Sequence, residues 1–221
     1  MKLTLLYSLL QIFIIFYTQS AQSASAPWVG NDLNNNACSG GAQGYGPFDY
    51  LQKSHFKKEL ELVETAHFTY EVENLIKGNA GNLLQDLDYT LRAWPNHHRA
   101  LLSVIRFQLE VKNKLRSGKL QSPAECYIQR ALHFSPQDAV NNSLYGHYLH
   151  KIGFIEKAIE YYEKALKLDP ENAKFSYSYS LLLIDMKRYE DAVKYAKIAY
   201  KRRDTPKGLK QKLEKLGVWN D

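Results

Sequence analysis

The chain has 221 residues, a net charge of +6, 45% hydrophobic and 24% charged residues, the composition of one globular domain of ordinary size with appendages. Two cysteines exclude a disulfide-dense miniprotein and a zinc-ribbon cage, and seven prolines and twelve glycines exclude collagen-like or low-complexity sequence.

Residues 1–23 read as a secretory signal peptide. Met1-Lys2 is followed by an uncharged apolar run from Leu3 to Tyr17 and then by small and polar residues. Cleavage after Ser23 puts Ala21 and Ser23 at the two small positions. The run has about 15 residues and a spanning helix needs about 20, so no stable membrane span is expected after cleavage, an uncleaved anchor being the alternative. The expected location is periplasmic or secreted.

Residues 24–50 form an irregular arm. Asn34, Asn35, Asn36, Gly40, Gly41, Gly44, Gly46 and Pro47 break any periodic pattern. Tyr45, Phe48 and Tyr50 are expected to pack the arm on the domain. Residues 51–96 read as an N-terminal helical region, in which Asn82 and Gln85 form a capping-box pair ahead of Leu83, Leu84, Leu87, Leu91 and Trp94. Pro95 stops that helix and Asn96 is the expected cap of the next. Ser122-Pro123 opens another helix, and Pro136, Pro170 and Pro206 punctuate the remainder. No segment reads as a strand.

A fixed interval decides the fold. Ala124, Ala158 and Ala192 are 34 apart, as are Ala131, Ala165 and Ala199, and as are Pro136 and Pro170. Tyr145-Gly146, Leu149, Gly153, Ala158, Tyr162, Ala165 and Pro170 occupy the large, glycine, large, turn, alanine, aromatic, alanine and proline positions of the tetratricopeptide repeat, a family that this segment resembles closely. In the next repeat Ser180 replaces the glycine and Ala196 the aromatic. The expected fold is all-α: an α-solenoid of helix hairpins over 97–204, with seven extra residues near 113–121, a possible degenerate pair in 51–96, and a capping helix over 205–221. Leu209, Leu213 and Leu216 supply the buried side of that cap. The blocks Gly46-Pro-Phe-Asp-Tyr50, His67-Phe-Thr69 and Pro95-Asn-His-His-Arg-Ala-Leu101 look like those of exported bacterial tetratricopeptide proteins.

The resemblance implies a concave groove, lined by the first helix of each pair, that holds a peptide. Matching positions are Arg99, Leu102, Arg106, Ser143, His147, His150, Lys151, Lys174, Tyr177 and Leu181. Cations beside apolar surface favour a partner with acidic groups. The asparagines of the family's carboxylate clamp are missing here, and self-association or filling by the arm are alternatives. The expected function is a non-enzymatic scaffold or adaptor of the bacterial envelope. Two further readings stand beside it, an accessory part of a secretion or surface-polymer machine, and a metal-binding protein or enzyme with its site in 45–100. His97, His98, Asp86 and Asp88 are the metal candidates for the latter, although the first turn of a helix is expected to expose the two histidines and point them apart. No nucleophile elbow, zincin motif or dinucleotide fingerprint occurs, so no catalytic residue or cofactor is expected. Cys38 and Cys126 can pair in an oxidising compartment. Eleven Lys or Arg against four Asp or Glu between Lys187 and Lys215 read as a solvated outer face, and no nucleic-acid partner is expected.

Overall fold

The repeated prolines set the register of the fold. The structure, a computed structural model, describes residues 25–220, so the expected signal peptide 1–23 lies outside the described residues. Among them are ten α-helices: α1 Lys57–His67, α2 Tyr70–Glu73, α3 Leu83–Ala93, α4 His98–Lys112, α5 Ala124–Phe134, α6 Ala139–Ile152, α7 Ile155–Leu168, α8 Ala173–Asp185, α9 Tyr189–Ala199 and α10 Gly208–Lys215. None is long and apolar enough to cross a membrane. Two residues beyond Pro95, Pro136 and Pro170 stand His97, Asp138 and Asn172, whose side chains accept from the backbone N–H groups of the next helix. The cap of α4 is therefore His97 and not Asn96. Asn96 is buried, accepts from the Tyr50 backbone N–H and donates to Asp49 and Asp138. The capping box of Asn82 and Gln85 is present at the start of α3.

The helices pair into hairpins: α1 and α2 against α3, α4 with α5, α6 with α7, and α8 with α9. Each first helix closes on a left-handed residue, Leu75, Lys114, Gly153 and Lys187 in turn. At the last two the following N–H bonds back to Leu149 and Leu183 at 2.9 Å, so a lysine serves where a glycine stood one repeat earlier. Successive hairpins stack through one continuous core from Phe68 to Leu213, which makes the molecule an α-solenoid.

Small side chains permit the stacking. Ala124, Ala131, Ala158, Ala165, Ala192, Ala196 and Ala199 are all fully buried. The two complete repeats solve one contact differently. A Cβ at Gly146 would lie 3.0 Å from the Tyr162 ring and 3.2 Å from the Ala158 carbonyl. One repeat on, Ala196 replaces the ring, and Ser180 fits and donates its hydroxyl to the Ala192 carbonyl at 2.7 Å. Helix α10 closes the stack with Leu209 and Leu213 fully buried. Leu216 departs from expectation at 41% exposure, because the helix ends at Lys215 and Gly217 turns the chain at positive φ.

The arm lies along α5 and the end of α3. Cys38 and Cys126 are joined, with Cα atoms 5.4 Å apart. Ser122 donates to the Ser39 carbonyl, Gln129 to that of Asn31, and the Leu33 N–H to buried Glu125. Arg130 is 2% exposed and forms no ion pair among the described residues. It donates instead to the carbonyls of Ala26 and Leu91 and to Gln43, and its guanidinium lies 5.0 Å over the Trp28 ring. The Leu91 carbonyl is at the open, negative end of α3, which favours a cation there. Of the three aromatics expected to anchor the arm, Tyr50 is buried, Phe48 half-buried and Tyr45 largely exposed. Trp28 and Arg130 take the larger share.

The size exchange at the helix crossing predicts coupling between Gly146 and Tyr162. Gly146→Ser alone should destabilise by roughly 1–3 kcal/mol through overpacking. In a Tyr162→Ala background the same change should cost about 1 kcal/mol less, as read by a double-mutant cycle in urea. Equal costs in the two backgrounds would refute the steric account.

Candidate functional site

The inner face is built by the first helices of successive pairs, α4, α6 and α8, which contact one another side by side. The structure divides the ten candidate groove residues into two groups. Leu102 and Lys151 are exposed, Arg106 and His147 are half-buried, and Lys174, Tyr177 and Leu181 continue along α8 as exposed, half-buried and half-buried. These seven face an accessible surface. Arg99, Ser143 and His150 do not present free groups.

Arg99 binds both carboxylate oxygens of Glu73, one at 2.7 Å, and lies 3.5 Å from Glu64. That hydrogen-bonded pairing holds the Glu73 carboxyl below its usual range and Arg99 above its own. The Glu64 carboxyl is held down first by its bond to His97, at 2.9 Å. Broken helix α1–α2 thus supplies two carboxylates that neutralise the α4 end of the face. At the other end His150 sits 3.0 Å from Asp185, which also receives Lys212 of α10 at 2.8 Å. Burial lowers the pKa of His150 more than Asp185 raises it. Ser143 is buried. Among the described residues Arg106, Lys151 and Lys174 form no ion pair, and they are set beside Leu102, Tyr177 and Leu181. Tyr177 and Lys174 also wall a recess of about 260 Å³, closed by Thr205 and Pro206 from the turn before α10. Pro206 was legible in the sequence only as a stop between helices, not as a wall of this recess.

The four metal candidates do not converge. His97 is fully buried, not exposed as expected, with Nδ1 accepting from the Ala100 N–H and Nε2 on Glu64. Its ring packs 4.4 Å from Tyr50 and 4.7 Å from Phe68. His98 turns the other way, to Asp138 at 2.7 Å. Asp86 takes His67 and the N–H groups of Asn79 and Gly81, while Asp88 takes the Tyr127 hydroxyl and Arg92. Each side chain is spent on holding two segments together. Among the described residues no group of three His, Cys, Asp or Glu side chains is placed to share an ion.

Residues 146–207 match the family model of the tetratricopeptide repeat. A solved structure titled "MamA RS-1 ArsTM double mutant" is similar at 19% identity and a TM-score of 0.45, over 74% of this chain and 82% of that one. No curated protein matches the chain.

His147 gives the face a pH dependence. Burial lowers its pKa to about 4 from an unfolded value near 6.5, with Lys151 and His150 adding to the shift. Well above pH 6.5 neither state binds the proton, and stability is full. As the pH falls through 6.5 toward 4 the unfolded chain takes up a proton that the fold refuses, and stability declines by about 3 kcal/mol. The urea midpoint of the His147→Gln variant should fall less between pH 7 and pH 4.5 than that of the parent. Parallel declines would show that His147 is not desolvated.

Proposed function

We propose that this tetratricopeptide-repeat chain is a non-enzymatic scaffold of the bacterial cell envelope that holds an acidic segment of a partner protein in its inner groove. Tetratricopeptide repeats are protein-binding structures, and the residues left open here favour that use. Arg106, Lys151 and Lys174 form no ion pair among the described residues, and Leu102, Tyr177 and Leu181 offer apolar area between them. This alternation is the observation that carries the reading: charge-assisted bonds set the partner's register while side-chain burial supplies affinity. The neutralised end at Arg99 and the tied-off His150 narrow the binding stretch to the middle of α4, the middle and C-terminal turn of α6, and the first half of α8.

The envelope location rests on two supports. The first 23 residues have the charge and length pattern of a signal peptide, and a cross-link between the chain's two cysteines suits an oxidising compartment. Membership of a secretion or surface-polymer machine is one setting for such a scaffold, and self-association is another use of the same face. An active or metal centre in 45–100 has less in its favour, since the side chains that suggested it are engaged with one another.

Charge reversal tests the groove. Arg106→Glu, Lys151→Glu and Lys174→Glu together should weaken capture of the cognate partner, identified by in-cell photocrosslinking from position 177, at least tenfold while leaving helix content unchanged. Unaltered affinity would put binding elsewhere. Export has its own test. Fractionation of expressing cells should recover the chain outside the inner membrane with a new N-terminus at Ala24, and a cytoplasmic, full-length product would end the envelope reading.

A further inference from the structure

The arm covers a polar face. Ser122, Glu125, Cys126, Gln129 and Arg130 recur at three- and four-residue intervals, so they form one stripe along α5 and the turn that leads into it. Each of them meets the arm. Ser122 donates to the Ser39 carbonyl at 2.8 Å, Gln129 to that of Asn31 at 2.8 Å and Arg130 to that of Ala26 at 2.6 Å. Glu125 accepts from the Leu33 N–H at 3.1 Å. Cys126, in the middle of the stripe, is bonded to Cys38. The polar side chains of the stripe thus hold the arm by its main chain, and the disulfide fastens it covalently. Arg92 holds the base of the arm separately, donating to the Ala42 carbonyl and accepting from Gln43 at its own.

Two observations make this cover removable. First, the arm buries little of itself. Between residues 25 and 41 only Ala26 and Cys38 are buried, and Trp28 is half-buried against Tyr127 and Arg130. Hydrogen bonds that replace bonds to water add little net stability, so the covalent link carries most of the attachment. Second, the surface beneath is charged. Glu125 and Arg130 are 3% and 2% exposed, and water would accept both. The apolar side of α5, with Ala124, Ile128 and Ala131, belongs to the core that runs on to Leu213. A segment that seals a core covers apolar side chains, whereas this one covers a stripe that solvent can take over.

We infer that residues 25–41 are a redox-latched strap: the Cys38–Cys126 bond holds them closed over the α5 stripe, and its reduction lifts them from α5 while the repeats stay folded. The reductant is a dithiol. One of its thiolates bonds to the Cys38 sulfur and releases Cys126. The other then displaces Cys38 and closes the reductant's own disulfide, so two electrons and two protons pass to the cysteines. Attack falls on Cys38, which keeps 8% exposure where Cys126 has none. After release Glu125 retains the Tyr148 hydroxyl and Arg130 the Leu91 carbonyl, so neither is stranded. An oxidising compartment keeps the strap shut and a reducing one leaves the stripe open. The device acts on α5, a second helix of its pair, and does not rest on the inner-groove reading.

Amide hydrogen exchange followed by mass spectrometry tests the latch. The samples are the oxidised chain, the same chain kept in dithiothreitol, and the variants Cys38→Ser and Cys126→Ala. The reduced sample carries no substitution, so a variant that misfolds cannot hide the answer. Wherever the bond is absent, segments covering 30–41 should exchange at least tenfold faster, while α6 to α9 exchange as in the oxidised chain. Labelling of Arg130 by phenylglyoxal, mapped in the same samples, should rise at least tenfold. Unchanged exchange over 30–41 after reduction would show that hydrogen bonds alone hold the arm. Faster exchange spreading through α6 to α9 would show that the bond supports the solenoid rather than a strap. An Arg130 that stays unlabelled after reduction would show that the stripe is not uncovered. Any one of these three results overturns the inference.

Discussion

Close approach between helix backbones is the constraint on which the rest depends. A hairpin of two short amphipathic helices buries too little to stand alone, so each must press against the next. The alanines at 124, 131, 158, 165, 192 and 199 remove the side chains that would hold those helices apart. Around that spacing the aromatic residues fill what is left. Tyr162 and Tyr179 lie with ring centroids 5.7 Å apart and carry the core from one hairpin to the next. At this crossing a glycine makes room for the Tyr162 ring in one repeat, and in the next Ala196 removes the ring and leaves room for the Ser180 hydroxyl.

The N-terminal half uses the same plan but holds it together by different means. Its first helix is broken into α1 and α2, and the detour after α4 interrupts the stack. Where packing is less regular, polar groups tie segments together. Asp86 fastens the loop before α3 to His67, Asp138 joins α6 to Asn96 and His98, and Arg130 closes the α3 terminus against the arm. Buried polar groups of this kind cost free energy unless every one finds a partner, so they position the chain more than they stabilise it. This accounts for the histidines and aspartates that looked like ligands. They are clustered in sequence because they staple the same junction, and they diverge in space because each staples a different segment to it.

The legible part of the fold was the part with a period. Alanine and proline spacing gave the helices over 123–204, the hairpin turns and the amphipathic cap, since a 34-residue recurrence is visible in a single sequence. The same recurrence held information that local propensity obscured. Asparagine is a better capping residue than histidine, which points to Asn96. The spacing from proline to cap, however, is two at Pro136 and Pro170 and places the cap on His97. Non-periodic features were poorly legible. Nothing in the sequence announces that Arg130 is buried against Trp28, because arginine is an ordinary solvated residue and its acceptors are carbonyl oxygens more than 30 positions away. Candidate groove residues were chosen by repeat position, which carries no information about their state. Whether Arg99 is free depends on Glu64 and Glu73, which reach it only because α1 and α2 fold back beside α4.

Charge placement then follows from which repeats have neighbours on both sides. On α4 the acids of the preceding pair take Arg99 and leave Arg106 open, and on α6 Asp185 takes His150 and leaves Lys151 open. A uniformly cationic groove would attract any polyanion, whereas cations spaced along successive helices select for where a partner's acids fall along its length.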